Sequence, residues 1–370
     1  MGNCFVPTTE GKTVIGYYAS WQWYDRAQLA EPQNMDFSKV DRVNYAFFQT
    51  DESGNLYGTD SWADPNILFG PYDYNPPDDA PEYCSHDAPG VENCATHFYD
   101  QGLLGRAHAT NTQVWPSIGG WTLSDNFPVV AANPTARSNF AKQCVELITD
   151  YGFDGIDIDW EYPGFEEHGG TPEDRINFNL LLSDIRGELN DLTKKTGHTY
   201  GLSAALSCDP EEILNYDVEY LSNVLSELNL MTYDFHGWGP TGYDVDSCVR
   251  NWIAAGAAPS AINIGLPFYG RSFTIATGLN QPFGGADVSH WGADDGIPEY
   301  YNILDQLAQM EISHDNVTET PYAYFPSGGM VSYDDPRSIC EKTQYAIDHY
   351  LHGFLIWELS GDLLSSDLST

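Results

Sequence analysis

The chain has 370 residues, and its 54 Asp and Glu against 15 Lys and Arg give a formal net charge of −39. A field of that sign repels phosphate backbones and anionic lipid heads, which excludes nucleic acid and membrane surfaces as partners. With 42% hydrophobic and 14% aromatic residues, the chain is no acidic disordered polymer, and the charge must coat a folded body with a sizeable core.

The opening MGNCFVPTTEGK has neither a basic start nor an apolar stretch, so no signal peptide is read there. Val6 stands where a myristoylation signal needs Ser or Thr. From Thr13 onward, short β-branched runs alternate with longer amphipathic stretches. Strands are predicted at Val14–Ala19, Arg42–Phe47, Gln113–Ser117, Gly155–Trp160, Tyr200–Leu206, Leu228–Met231, Ala261–Leu266 and Gly353–Trp357. Between them lie helical patterns such as Thr96–Ala109 and Thr135–Tyr151, the latter with Phe140, Cys144, Leu147 and Ile148 on one face. Eight strands in this rhythm predict an α/β fold, a (β/α)8 TIM barrel.

Two intervals exceed the rhythm. Phe48 to Gln113 holds a loop dense in Asp, Pro, Tyr and Trp, and Leu266 to Gly353 spans more than one helix. Residues 273–330 are read as a small α+β insertion between strand 7 and helix 7, which follows at Pro336–Leu351. The barrel is then 13–272 and 331–362. Both intervals follow strands, on the face where such barrels carry active sites.

Seven cysteines are an odd count. Cys84 and Cys94 flank a Pro/Asp-rich loop and are placed to staple it, which would imply an oxidising compartment. Cys144 and Cys340 fall in helical patterns and read as small buried apolar residues; pairing is otherwise open. Neither CxxC nor HExxH occurs, so no metal site is expected. The triplet Asn316-Val317-Thr318 is compatible with glycosylation and secretion. The acidic surface suits a salty medium, where screening relieves self-repulsion, or reflects drift in a secreted protein.

The sharpest signal is Asp154-Gly155-Ile156-Asp157-Ile158-Asp159-Trp160-Glu161-Tyr162-Pro163. Alternation along a strand puts Asp157, Asp159 and Glu161 on one face and Ile156, Ile158 and Trp160 on the other. In a barrel the apolar set meets helices and the carboxylates point inward, rising to the mouth at Glu161. Buried charge is costly, so the trio needs a reason. A solvated edge strand and a divalent-metal site are the alternatives, and neither loop geometry nor His ligands support the second. Stacked carboxylates cannot all ionise, so one retains a proton near neutral pH, and Glu161 can act as a general acid toward a leaving-group oxygen. That is what cleavage of a glycosidic bond requires.

This run resembles the DxxDxDxE signature of family-18 glycoside hydrolases, the chitinase family. Ser117-Ile118-Gly119-Gly120-Trp121 resembles the family's SxGG segment, and Met231-Thr232-Tyr233-Asp234 its MxYD segment. Leu266-Pro267-Phe268-Tyr269-Gly270-Arg271 is similar to the segment before the family's α+β insertion, and Trp357 to its closing tryptophan. The likeness runs from about Thr13 to Asp362. Family barrels continue into an eighth helix, whereas this chain stops soon after Asp362; the final helix therefore looks truncated, and the seam between first and last strands is expected to be partly bare.

The resemblance implies a chitinase acting on β-1,4-linked N-acetylglucosamine polymers with retention, by substrate assistance. Glu161 is then acid and base, Asp159 orients the acetamido group, Asp157 shares a proton with Asp159, and Tyr233 donates to the acetamido oxygen. Asp234 would contact the same sugar and Trp357 would form its floor. Tyr17 and Ser117 would bond Asp157. Arg271, Tyr162, Tyr269 and Met231 would line the sugar site, with Trp121 and Trp238 as flanking platforms. Gly119 and Gly120 would permit close backbone approach. No cofactor is implied. Chitin and chito-oligosaccharides are the expected partners, the chain is expected to act as a monomer, and secretion is expected. A chitin lectin on the same fold and an N-glycan endoglycosidase remain as alternatives.

Overall fold

Strands buried on both faces read as near-continuous apolar runs, because one face fills the barrel and the other meets helices. The computed structural model describes residues 11–24, 29–70, 101–235, 243–292, 296–362 and 364. The strands in chain order are β1 (Thr13–Ala19), β2 (Arg42–Thr50), β3 (Leu56–Gly58), β4 (Gln113–Gly119), β5 (Gly155–Asp159), β6 (Gly201–Leu206), β7 (Glu227–Leu230), β8 (Ile262–Pro267), β9 (Arg271–Phe273), β10 (Glu311–His314), β11 (Pro321–Tyr324), β12 (Met330–Ser332) and β13 (Gly353–Trp357). Among the described residues, eight parallel strands close into a barrel in the order β1, β2, β4, β5, β6, β7, β8, β13, with β13 pairing back to β1. The short β3 folds antiparallel onto β2, which carries β2 past the predicted end at Phe47 to Thr50.

Registry sets the site. Ser117 of β4 and Ser203 of β6 both pair with Asp157 of β5, so three polar side chains form one row inside the barrel. Outside, Ile156 and Ile158 pack under helices. One of these, Pro134–Glu146, starts where Asn133 accepts the Thr135 N–H (2.9 Å) ahead of Pro134, which suits a first helical position. The pattern predicted to end at Tyr151 does so through a wider turn over Leu147–Tyr151, stopped by Gly152 at φ 85°.

The antiparallel strands β9 to β12 form a separate sheet in the order β10-β11-β12-β9, over Arg271–Ser332. It has its own core of Trp291, Ile303, Ala323, Phe325, Val331 and Tyr333. The helix Pro336–Asp348 then returns the chain to β13. At the barrel seam Phe354 and Ile356 are buried. Leu359 lies over Gly16, where an added Cβ would fall 2.5 Å from its side chain, so the seam is covered there.

At the barrel floor, Arg42 and Glu227 form a buried ion pair. The Arg42 guanidinium lies 3.8 Å over the Trp115 ring, and Glu227 also accepts Asn263 Nδ2 (2.9 Å). Burial would raise the Glu227 carboxyl, but Arg42 and Asn263 outweigh it and hold it below the usual range.

One cysteine expectation changes. Cys340 is disulfide-bonded, not a free apolar filler, because proximity of a second thiol overrides what its helical position suggests. Cys208, at the exit of β6, is bonded to Cys248, with Cα atoms 5.1 Å apart. Cys144 is the free thiol among the described residues, fully buried, and burial pushes it up. Cys84 and Cys94 lie outside the described residues. Among those residues no helix is long and apolar enough to cross a membrane.

Candidate active site

The alternation of β5 drives the site. Trp160, just past the strand, is buried against Phe127 (ring centroids 5.4 Å) and Phe178 (5.6 Å). That anchor turns Asp159 and Glu161 toward the barrel mouth, above Asp157.

Asp157 is wholly buried and its two oxygens accept four hydrogen bonds. Tyr17 Oη and Ser117 Oγ donate to Oδ2, each at 2.8 Å. Ser203 Oγ (2.5 Å) and Asn229 Nδ2 (3.2 Å) donate to Oδ1. Asp159 is 3% exposed, and its Oδ1 has no hydrogen-bond partner among the described residues. Burial first, then the Glu161 and Asp157 charges, push the Asp159 carboxyl well above the usual range. Glu161 is pushed up to about 7, chiefly by burial and further by the charges of Glu212 and Asp234, against a lowering hydrogen bond from Tyr162.

The β4 exit closes on this column. Gly119 takes φ 116°, and a Cβ there would fall 2.1 Å from the Asp159 carbonyl oxygen. Gly120 N–H donates to that oxygen at 2.7 Å. The two glycines thus allow the close backbone approach expected of them.

The carboxylates open onto a cleft of about 800 Å³, lined by Tyr17, Trp121, Asp159, Glu161, Tyr162, Met231, Tyr233, Asp234, Tyr269, Arg271 and Trp357 among others. Trp357 stacks on Phe47 (5.7 Å, 22°) and meets Tyr17 at 5.4 Å. Asp234, at φ 59°, accepts Tyr269 Oη (2.9 Å) and Arg271 Nε (2.8 Å) and is paired with Arg271 Nη2. Burial and the surrounding carboxylates push the Tyr233 hydroxyl well up, so it remains a donor. Trp121 is 49% exposed at the rim. Of the residues singled out by sequence, Tyr17, Tyr233, Asp234, Trp357, Met231, Tyr162, Tyr269, Arg271, Trp121 and the upper two carboxylates share this cleft. Asp157 and Ser117 lie beneath it, and Trp238 lies outside the described residues.

Sequence reading missed several groups. Trp21, 44% exposed after β1, and Phe47 line the same cleft. Ser203 and Asn229 hold Asp157; the available signal was a polar residue facing inward in an otherwise apolar run, Ser203 in β6 and Asn229 in β7. Glu212 lines an adjoining cavity of about 270 Å³ that shares Glu161, Tyr162 and Asp234. Burial and Asp209 push Glu212 up to about 7, although the Ser207 hydrogen bond lowers it.

A TIM barrel with neighbouring carboxyl groups, pushed up by burial, at the C-terminal mouth of a strand and beneath an aromatic-walled cleft has the makings of a glycoside hydrolase. The chain belongs to the glycosyl hydrolases family 18, whose model matches residues 13–362. It is 32% identical to Endochitinase 1 of Metarhizium robertsii over 97% of this chain and 85% of that one. Its fold is similar to catalytic domain 2 of the Ostrinia furnacalis Group II chitinase, with TM-score 0.78, 26% identity, and coverage of 95% of this chain and 90% of that one. The Ostrinia furnacalis Group IV chitinase in complex with allosamidin is also similar, with TM-score 0.77, 26% identity, and coverage of 95% and 93%.

Proposed function

We propose that the protein is a chitinase that hydrolyses β-1,4 bonds between N-acetylglucosamine units with retention, through a substrate-assisted mechanism. The observation that carries this reading is the graded carboxylate column. Asp157 sits in a ring of four donors, Asp159 is driven toward its neutral form, and Glu161 lines the cleft with its carboxyl pushed up to about 7.

In this reading a sugar rests its C–H face on Trp357, an apolar floor backed by Phe47. Its acetamido group turns down toward Asp159 and Tyr233. Glu161 protonates the glycosidic oxygen as the C–O bond breaks, while the acetamido oxygen attacks the anomeric carbon from the other face. The resulting oxazolinium is cationic. Asp159 accepts from its N–H, and the Asp157 carboxylate beneath stabilises the positive charge. Tyr233 steadies the acetamido oxygen. Deprotonated Glu161 then takes a proton from water as the water's oxygen bonds to the anomeric carbon and opens the ring, restoring the acid. Asp234, fixed by Tyr269 and Arg271, is positioned to bond the distorted sugar. The relatives named as chitinases support the substrate class.

The test is product analysis from chitohexaose and colloidal chitin by mass spectrometry, with wild type and Glu161→Gln. Wild type is expected to release chito-oligosaccharides, and the variant to lose about 10³-fold or more in kcat while still binding chitohexaose. Near-native turnover by the variant would remove Glu161 from the acid role. No release by wild type would sink the reading.

A further inference from the structure

The segment after Glu161 folds back on itself. Phe165 N–H donates to the Tyr162 carbonyl (3.0 Å), and His168 and Gly170 N–H groups donate to the Phe165 carbonyl (3.1 and 2.9 Å). Gly169, at φ 74°, ends the turn. The return brings the His168 imidazole to the backbone of Glu161, with Nδ1 2.9 Å from the Glu161 carbonyl oxygen. A carbonyl oxygen only accepts, so Nδ1 carries the hydrogen and donates. The same ring lies 4.7 Å from the Trp121 ring and 5.3 Å from Phe165. At its other end Glu161 is also held: its N–H donates to Ser124 Oγ (2.8 Å), and Ser124 is wholly buried and donates in turn to the Gly120 carbonyl (3.0 Å). Both sides of the Glu161 backbone are therefore gripped by side chains, Ser124 from the β4 exit and His168 from the return loop.

The geometry points to His168 as a positioning residue for glycosidic cleavage, one that aims the Glu161 carboxyl through its backbone carbonyl and ties it to the Trp121 wall. This inference rests on Glu161 acting as the proton donor. Cleavage is sensitive to displacements of about 1 Å in a reacting group, so releasing one of the two grips loosens the aim without removing the acid. The link to Trp121 is separate: the imidazole backs that ring, so a sugar packed on Trp121 presses on the same group that steers the acid. Donor and ring can be removed one at a time, which separates this role from mere filling of the loop.

The experiment compares wild type, His168→Phe and His168→Asn in the full chain, on chitohexaose and on an aryl chitobioside whose good leaving group needs little protonation. His168→Phe keeps a ring beside Trp121 and loses the donor; kcat on chitohexaose is expected to fall about tenfold, KM to stay near wild type, and the aryl substrate to be largely spared. His168→Asn offers an N–H near the place of Nδ1 and loses the ring; kcat is expected to recover most of that loss, while KM for chitohexaose rises. Wild-type kcat on chitohexaose in His168→Phe overturns the inference, as do equal losses on both substrates. If His168→Phe does not fold, His168→Asn decides alone: a raised KM with kcat kept supports the coupling, and equal losses on both substrates defeat it. Wild type that cleaves neither substrate fails the proposed function, and this inference with it. Active wild type beside an indifferent His168→Phe fails this inference alone.

Discussion

Asp157 and Asp159 stand two residues apart on β5, yet among the described residues Asp157 accepts four hydrogen bonds while Asp159 Oδ1 has none. Four donors converging on one carboxyl fix its position, whereas burial beside other acids pushes the Asp159 carboxyl up. The same side chain thus meets two environments about 7 Å apart along a strand, and the chemistry proposed above uses both.

Asp157→Asn keeps the volume of the lower carboxyl and removes its charge. The expected result is a fall in kcat of about 10²-fold with oligosaccharide affinity retained, because only the cationic intermediate needs that charge. Steady-state kinetics on chitohexaose, set beside calorimetric titration of the variant, checks it. Loss of affinity in step with kcat would point to a collapsed site instead.

The pH profile follows from Glu161, which is pushed up to about 7. The acid must be protonated to act, so kcat/KM is expected to hold below that value and to fall as pH rises through it. Glu212 contributes to the upward shift by its charge. Glu212→Gln should therefore move the alkaline limb to lower pH and leave the acid-side plateau in place. A limb that stays put, or moves up, would show that the two carboxyl groups do not communicate.

At the opposite end of the barrel, Arg42→Met takes the buried guanidinium from Glu227 and leaves it only Asn263 and the part-exposed His352, whose Nε2 is 3.4 Å away. Breaking a buried pair costs about 3–5 kcal/mol, and that loss should appear in urea unfolding. The double change Arg42→Met with Glu227→Leu should recover part of it, because the buried carboxylate goes with its guanidinium, while Asn44, Asn263 and His352 each lose a partner. Glu227 is held below the usual range when folded. Its contribution is therefore present above the unfolded value and lost as pH falls through the folded one. In the double variant that acid-side loss should be smaller.

The Cys208–Cys248 bridge spans 40 residues of chain. Closing a loop of that length restricts the unfolded chain by about 4 kcal/mol in the chain-entropy model. The paired change Cys208→Ser and Cys248→Ser is expected to lower unfolding free energy by about 2–4 kcal/mol. Equal stability with and without reductant would refute it.

The barrel and the carboxylate strand were legible because alternation is local: Ile156, Asp157, Ile158 and Asp159 declare their faces within four residues. Boundaries were less so. β5 ends at Asp159, where Trp160 is drawn into the helical layer, and β7 starts at Glu227 because that side chain is tied to Arg42 across the floor. What escaped were convergences of distant segments. Ser203 and Asn229 are ordinary letters in their own strands, and only registry brings them to Asp157. Trp21 reaches the cleft and Glu212 the adjoining cavity from short helical turns after β1 and β6, Ser20–Tyr24 and Pro210–Ile213, whose paths the pattern of apolar residues does not encode. Thiol pairing is of the same kind, and it misled the reading of Cys340.

The ring around Asp157 draws Tyr17, Ser117, Ser203 and Asn229 from four different strands, β1, β4, β6 and β7. A half-assembled sheet would leave that carboxyl short of partners in an oily interior, an arrangement that nature penalises heavily. Shutting the cylinder and readying it for work are therefore a single event: molecules with an open stave are selected against by the very group they would need.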